Sequence, residues 1–324
     1  MRAAWYTQNG PAREVLIVGE IPTPSPARGE VRVKIATSGV NPSDVKSRRR
    51  PLAFDRVVPH SDGAGIIDAV GEGVPSERIG QRVWIWNGQW QRPKGTAAEY
   101  IVVPEPQAVP LPDKTDFAAG ACLGIPALTA FQAVRLLGDI SGKTVLVTGA
   151  ASAVGHYVTQ LAVLAGARVI GTVGSDERAA HAVAAGAFAT INYKQEPVAE
   201  RLSDLTGSQK VDAIVDMDFS STAKLIADGV LVPHGTVVSY GSNSAEDHPV
   251  PFRTLLFNSI SLRFFLVYDL TPAERRLAVD SLNALLADSR LSHTIGSRFS
   301  LDEIAAAHEA VEGGKVIGNV VLEL

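Results

Sequence analysis

Lys143-Thr144-Val145-Leu146-Val147-Thr148 runs directly into Gly149-Ala150-Ala151-Ser152-Ala153-Val154-Gly155, and this stretch carries the fold assignment. The leading residues read as a buried strand, because apolar side chains continue without alternation. The residues after Thr148 are small, and a helix-forming run follows at once. Strand, tight turn and helix N-terminus together present free N–H groups to a pyrophosphate. An ordinary strand-to-helix turn of small residues looks the same in isolation. The surroundings separate the two readings. Strands expected at 168–173, 188–191, 211–216 and 236–239 alternate with helices at 154–165, 176–185, 198–205 and 221–231. That alternation implies a parallel, doubly wound sheet, the α/β frame of a dinucleotide-binding domain.

Toward the C-terminus, an apolar strand is expected at 262–267. Thr271-Pro272-Ala273-Glu274 opens a helix with Pro at its first position, running to about Ala287. Ser300 and Glu303 fit a capping box ahead of a helix at 304–311, and 320–324 closes as a strand. Toward the N-terminus the texture changes at Pro112. Residues 117–137 are Ala/Leu-rich and helical, with Pro126 breaking or bending the run. Before them lie short strands at 31–35, 63–70, 82–86 and 100–103. Turn signals such as Ala27-Arg28-Gly29-Glu30 and Gly71-Glu72-Gly73 separate them, which describes a mostly β domain.

Composition narrows the function. The chain is 46% hydrophobic and 20% charged, so a large core can be buried and wholesale disorder is excluded. A net charge of −4 and the lack of a broad basic face argue against nucleic acid. The one basic run, Arg48 to Arg50, reads as a solvated helix end as readily as a phosphate site. Cys122 is the lone cysteine, which excludes an intrachain disulfide and a multi-cysteine zinc site. Its neighbours Ala119, Ala121 and Leu123 suggest a buried thiol. Met1 to Tyr6 reads as a strand and not as a signal segment, and apolar runs fall short of the ~20 residues a membrane span needs. A cytoplasmic setting without membrane contact is the expectation.

Several segments, in order, carry a family resemblance: Gly39-Val40-Asn41-Pro42-Ser43-Asp44, Pro59-His60-Ser61-Asp62-Gly63-Ala64-Gly65 and Gly95-Thr96-Ala97-Ala98-Glu99-Tyr100. Leu123-Gly124-Ile125-Pro126-Ala127-Leu128-Thr129-Ala130, the small-residue turn and Gly313-Gly314-Lys315-Val316-Ile317-Gly318 complete the set. Over nearly its whole length the chain resembles the zinc-free medium-chain dehydrogenase/reductases, in particular the zeta-crystallin-like quinone oxidoreductases. The resemblance implies a GroES-like, mostly β catalytic domain from both chain ends, 1–122 and 268–324, and a doubly wound parallel-sheet Rossmann domain at 123–267. The turn departs from the family, since Ser152 stands where a middle glycine is usual; its hydroxyl could contact a phosphate. Gly149, Ala153, Val154 and Gly155 complete the turn's contacts.

NAD-preferring folds place an acid at the end of the second strand, about 20 residues past the turn. Here that end is Gly171-Thr172-Val173-Gly174, followed by Ser175 and Arg178, which suit a 2′-phosphate. Asp176 and Glu177 lie between them and could equally be favouring the helix dipole beside a solvated Arg178. NADPH is the expected cofactor, and Tyr193 matches a family tyrosine near the 2′-phosphate end. The resemblance adds Thr129 on the nicotinamide side; Tyr240, Gly241 and Ser242 sit at the carboxyl end of a parallel strand, where open α/β sheets bind ligands, and Phe265 and Leu266 are the equivalent contacts after the next strand. Ser61-Asp62 stands where the zinc-dependent cousins have His-Glu, and 38–44 has no cysteine. No metal site is expected, and His60 reads as a pocket-wall or loop-bonding residue.

Without a metal, the acceptor must already be electrophilic, as quinones and unsaturated carbonyls are. Asn41 matches the family residue beside the nicotinamide and could hydrogen-bond the developing oxyanion. Asp44 and Lys46 are candidates beside it, or a solvated pair at a helix start. Trp84, Trp86 and Trp90 either wall an aromatic pocket or pack as a strand. A quinone reductase is the expected function, with an enal/enone reductase and an NADPH-binding protein with little turnover as the alternatives. The last strand, apolar on both faces, implies a homodimer through an exposed edge, or else cover by the chain's own elements.

Overall fold

The computed structural model describes residues 1–324. Contacts divide the chain into two compact units, Met1–Pro126 with Val279–Leu324, and Ala127–Ala278. The sequence reading sets these boundaries at 122/123 and 267/268. Residues 123–126 fall with the first unit because Gly124 lies on the Ile85 carbonyl and against Asp62, leaving no room for a side chain. The second boundary falls inside the helix Pro272–Ala287: Arg275 donates to the Val267 carbonyl at one end, and Asn283 donates to the Pro110 carbonyl at the other.

In the first unit, the long strand Glu30–Val40 organises the sheet. Asp62–Val70 pairs antiparallel along its length. Its other edge is shared, with Tyr100–Pro104 on the first half and Asn319–Glu323 on the second. Ile295–Ser300 lies parallel beside Asn319–Glu323, and Arg82–Ile85 and Ala108–Pro110 extend the opposite side. Val31, Val33 and Ile35 point one way into a core with Ile67, Val83, Ile85 and Ile101, as period-2 alternation requires. Both chain ends build this sheet, so the GroES-like reading from segments far apart in sequence is borne out. Capping boxes start the helices Pro42–Arg48, at Asn41/Asp44, and Ile304–Glu312, at Ser300/Glu303, the latter through a short 3₁₀ turn.

The second unit holds a six-stranded, all-parallel sheet. Its spatial order is Ala189–Asn192, Arg168–Val173, Thr144–Val147, Val211–Asp216, Leu231–Ser239 and Ser261–Phe264. Numbered along the unit this is 3-2-1-4-5-6, the order of the dinucleotide fold, and the strand order reverses between Thr144–Val147 and Val211–Asp216. The doubly wound expectation holds. Three details differ. The helix expected at 221–231 is Phe219–Ala227, because Gly229 takes φ +75° and turns the chain. Leu231 therefore begins the fifth strand, earlier than 236. The last strand is only Ser261–Phe264; it is the sheet's edge, with Phe264 60% exposed, and a 3₁₀ turn at Val267–Asp269 replaces its expected end.

Candidate active site

The phosphate-binding turn is built by geometry as well as by small size. Gly149 takes φ +64°, and a side chain there would strike Met217. A Cβ on Gly155 would overlap the Gly149 carbonyl, so the helix Ala153–Leu164 can approach the strand only because Gly155 has none. Ser152 caps this helix: its Oγ accepts from Gly155 N at 3.0 Å, and its hydroxyl also bonds Tyr240. Its first duty is thus to the protein, with a phosphate at most a further partner. Ala153 and Val154 form the helix's first turn, with their backbone N–H groups at its open end.

Asp216, unmarked in the sequence reading, ties this corner together. It ends the fourth strand, is fully buried, and accepts from Thr148, Thr222 and Ser239 hydroxyls and from Asp218 N. Burial pushes its carboxyl up, and those four donors oppose the shift. Tyr240 donates its backbone N–H to the Asp216 carbonyl, and Phe265 tilts against its ring at 6.4 Å. Gly241 accepts from Phe219 N, and Ser242 bonds His248 at 3.2 Å. Leu266 is half exposed. Thr129 is buried, and its Oγ1 has no partner within the protein. An orphaned buried hydroxyl, together with a cradle shaped by missing Cβ atoms, fits a bound dinucleotide.

At the end of the second strand, Ser175 caps the helix Asp176–Ala184 by accepting from Arg178 N at 3.3 Å. Tyr193 folds over Gly174: a Cβ there would stand 2.9 Å from the Tyr193 hydroxyl and 3.3 Å from Lys194 Cε. The structure thus brings Tyr193 against Gly174, at the start of the Ser175 cap, and adds Lys194, a cation that the sequence does not mark although it adjoins Tyr193. Asp176 and Glu177 lie in the helix's first turn, where the dipole favours them.

In the first unit, Asn41 is 4% exposed and Asp62 is fully buried. Asn41 Nδ2 donates to Asp62 Oδ2 at 2.9 Å, and Asn41 N donates to Asp44 Oδ2 at 2.8 Å. Burial raises the Asp44 carboxyl to about 7, against hydrogen bonds from Asn41 and from the Ser61 backbone. Burial also lifts Asp62 well above the carboxylate range, and the nearby charge of Asp44 adds to it. Asp44 is buried while Lys46 on the same helix is exposed, so the two do not form a solvated pair. Arg48 corrects the solvated-end reading: it is fully buried, ion-paired with Glu312, and donates to the Gly10 carbonyl. No group of three or more His, Cys, Asp or Glu side chains is placed to hold a metal ion.

Other expectations divide. Cys122 is buried, which lifts its thiol well above the usual range, as its apolar neighbours imply. Trp84 is fully buried and donates to Asn283 Oδ1 at 3.1 Å, the packed-strand alternative. Trp86 donates to the Pro106 carbonyl at 3.2 Å. The loop after it is tied by Arg92, which donates to the Asn87 and Gly88 carbonyls and to Gln107. His60 is a loop-bonding residue with both ring nitrogens engaged, to Ser38 and to His308.

Comparison with known proteins agrees with this architecture. Residues 27–113 match the alcohol dehydrogenase GroES-like domain, and 153–284 match the zinc-binding dehydrogenase family. A quinone oxidoreductase of Pseudomonas aeruginosa is 32% identical, over 99% of this chain and 98% of its own length. The chain belongs to the quinone oxidoreductase family. It is therefore an oxidoreductase of the medium-chain dehydrogenase/reductase type. The quinone oxidoreductase of Escherichia coli, solved with NADPH, superposes with a TM-score of 0.90 at 27% identity, covering 100% of both chains. A structure described as an NAD-dependent alcohol dehydrogenase superposes with a TM-score of 0.91 at 30% identity, also over 100% of both.

Proposed function

We propose that this quinone oxidoreductase family member reduces a quinone, or a comparably electrophilic unsaturated carbonyl, with NADPH and without a metal. The observation that carries the reading is the buried Asp62–Asn41–Asp44 cluster. It offers an amide donor and a carboxyl that titrates near neutrality, in a unit where no three side chains converge as metal ligands. Such a site cannot polarise an inert carbonyl strongly, so the acceptor must bring its own electrophilicity. NADPH, when bound, supplies a hydride from the nicotinamide. The Asn41 amide is held between two carboxyls, donating to Asp62 Oδ2 and bonding the Asp44 side chain, and it would turn toward the acceptor oxygen as negative charge grows there. Asp44 lies in hydrogen-bond contact with Asn41, and burial raises its carboxyl to about 7, so it would hold a proton beside the amide at neutral pH.

NADPH over NADH is supported by a strand end that bears no acid, with Tyr193 and Lys194 against Gly174 and with Ser175 and Arg178 following it in the chain. The Gly149–Gly155 turn and Thr129 would hold the pyrophosphate and the nicotinamide side, with Tyr240, Gly241, Ser242, Phe265 and Leu266 completing the binding wall. A homodimer through the Ser261–Phe264 edge is supported by Phe252, Phe257 and Phe264, each at least 60% exposed. The lone buried Cys122 and the NADPH reading together point to the cytoplasm.

The test is NADPH oxidation against a panel of quinones and a panel of enals and enones. Faster turnover of quinones is expected. Exclusive turnover of enones would replace the quinone reading. Tight NADPH binding with neither panel consumed would make the protein a cofactor-binding protein.

A further inference from the structure

His60 has φ +77°, in the left-handed region that residues with a Cβ rarely enter. It is also 0% exposed. A strained, buried, non-glycine residue persists only when its surroundings over-determine it, and such strain gathers at functional sites. The surroundings of His60 are a continuous chain of hydrogen bonds. His308 Nε2 lies 2.9 Å from His60 Nε2, His60 Nδ1 lies 2.9 Å from Ser38 Oγ, and Ser38 Oγ lies 2.7 Å from Thr96 Oγ1. Thr96 Oγ1 then donates to the backbone carbonyl of Asp62.

The carbonyl at the end fixes the direction of every link, because a carbonyl only accepts. Thr96 spends its one hydroxyl hydrogen on Asp62 O, so Ser38 must donate to Thr96. Ser38 then has no hydrogen left, so His60 Nδ1 must carry one and donate to Ser38. His60 Nε2 is left as a bare acceptor, and His308 Nε2–H donates to it. The remaining nitrogen, His308 Nδ1, should then be an unprotonated lone pair, and it is buried without a partner. Both rings are neutral, since burial lowers His60 well below the usual imidazole value and His308 to about 3. The rings stack with centroids 5.1 Å apart.

We propose that the His308–His60–Ser38–Thr96 chain is a positioning device, which holds the left-handed turn at His60 so that Asp62, two residues on, orients the Asn41 amide for reaction. Asp62 is gripped at its backbone by Thr96 and at its side chain by Asn41. Packing leaves it no slack: a Cβ on Gly124 would stand 2.5 Å from its Oδ1 and one on Gly39 3.0 Å from its Cβ. The ring of His60 thereby does what a glycine could not. A glycine would accept the same φ without strain but would take the donor from Ser38 Oγ and the acceptor from His308 Nε2–H, and leave the turn free to shift. This inference rests on the role given to Asn41 in the proposed reaction.

The experiment has two independent arms. In the first, nitrogen-15 shifts of the histidine rings are recorded on the full-length protein with NADPH bound. His60 as the Nδ1–H tautomer and His308 as the Nε2–H tautomer are expected; the opposite tautomer at His60 overturns the chain. In the second, His60→Gly, His308→Leu and His308→Gln are compared by steady-state kinetics and by crystallography. His60→Gly and His308→Leu should lower quinone kcat about tenfold to a hundredfold, the scale of a misplaced donor, while the Kd for NADPH stays within about twofold. His308→Gln, which still presents an N–H, should recover most of the rate. In the crystal structures of the two impaired variants the Asp62–Asn41 bond should be lost or lengthened. Wild-type kcat in His60→Gly and His308→Leu, or an intact Asp62–Asn41 bond in both, would mean that the chain only packs. A wild-type enzyme inert toward quinones would fail the proposed function instead, and the crystal structures would still decide whether the chain positions Asp62.

Discussion

Replacing Asp44 by asparagine should change how the stability of the first unit depends on pH. Asp44 is 5% exposed and its carboxyl is raised from 3.8 to about 7 by burial. Between those values the folded protein holds a proton that the unfolded chain has released. Stability therefore falls as pH rises through that window, and levels off above pH 7. Each pH unit across it is worth about 1.4 kcal/mol, so the full loss is about 4 kcal/mol. The asparagine of Asp44→Asn cannot ionise but still offers an oxygen to Asn41 N. The advantage of the variant over the wild type should thus grow by about 4 kcal/mol between pH ~4 and pH ~7.5. Burial raises Asp62 in both proteins and only the smaller contribution from the Asp44 charge is lost in the variant, so the difference between them is dominated by Asp44 and is the quantity to follow. Trp5, Trp84, Trp86 and Trp90 all lie in this unit, so tryptophan emission during guanidinium unfolding reports on it alone. A difference that stays flat over this range would refute a protonated, buried Asp44. The same variant should also remove a fall in quinone turnover on the alkaline side of pH 7.

Arg178→Ala and Lys194→Ala should each weaken NADPH binding about tenfold, a charge-assisted bond discounted for exposure, while NADH affinity is unmoved; calorimetric titration of both cofactors checks this. Gly155→Ala forces a Cβ onto the Gly149 carbonyl and should cost about 1–3 kcal/mol along with most NADPH affinity, read by thermal unfolding with and without cofactor. Phe257→Lys, at a side chain 72% exposed, should convert a dimer to monomer in light scattering across a dilution series; a wild type monomeric at every concentration would remove the dimer. Prolonged chelation should leave turnover unchanged, and activity lost on chelation and restored by zinc would reverse the metal-free reading.

The second unit is legible in the amino-acid sequence almost completely. Its strands are uninterrupted apolar runs, its helices amphipathic, and its punctuation local, so periodicity and glycine suffice to place the 143–155 turn and the parallel sheet. That Asn41 and Asp44 share a helix start is legible too, because a capping box is written within four residues. Three features exist only in the folded chain. Asp62 bonds Asn41 from another strand, and an acceptor 21 residues away leaves no local pattern. Lys194 lies against Gly174 because the third strand lies beside the second, which pairing and not spacing creates. His308 meets His60 across 248 residues, since both chain ends build one sheet. Burial is the common reason. Whether Arg48 is solvated, whether Asp44 holds a proton and whether His60 is neutral depend on what covers them, and the covering residues come from distant parts of the chain.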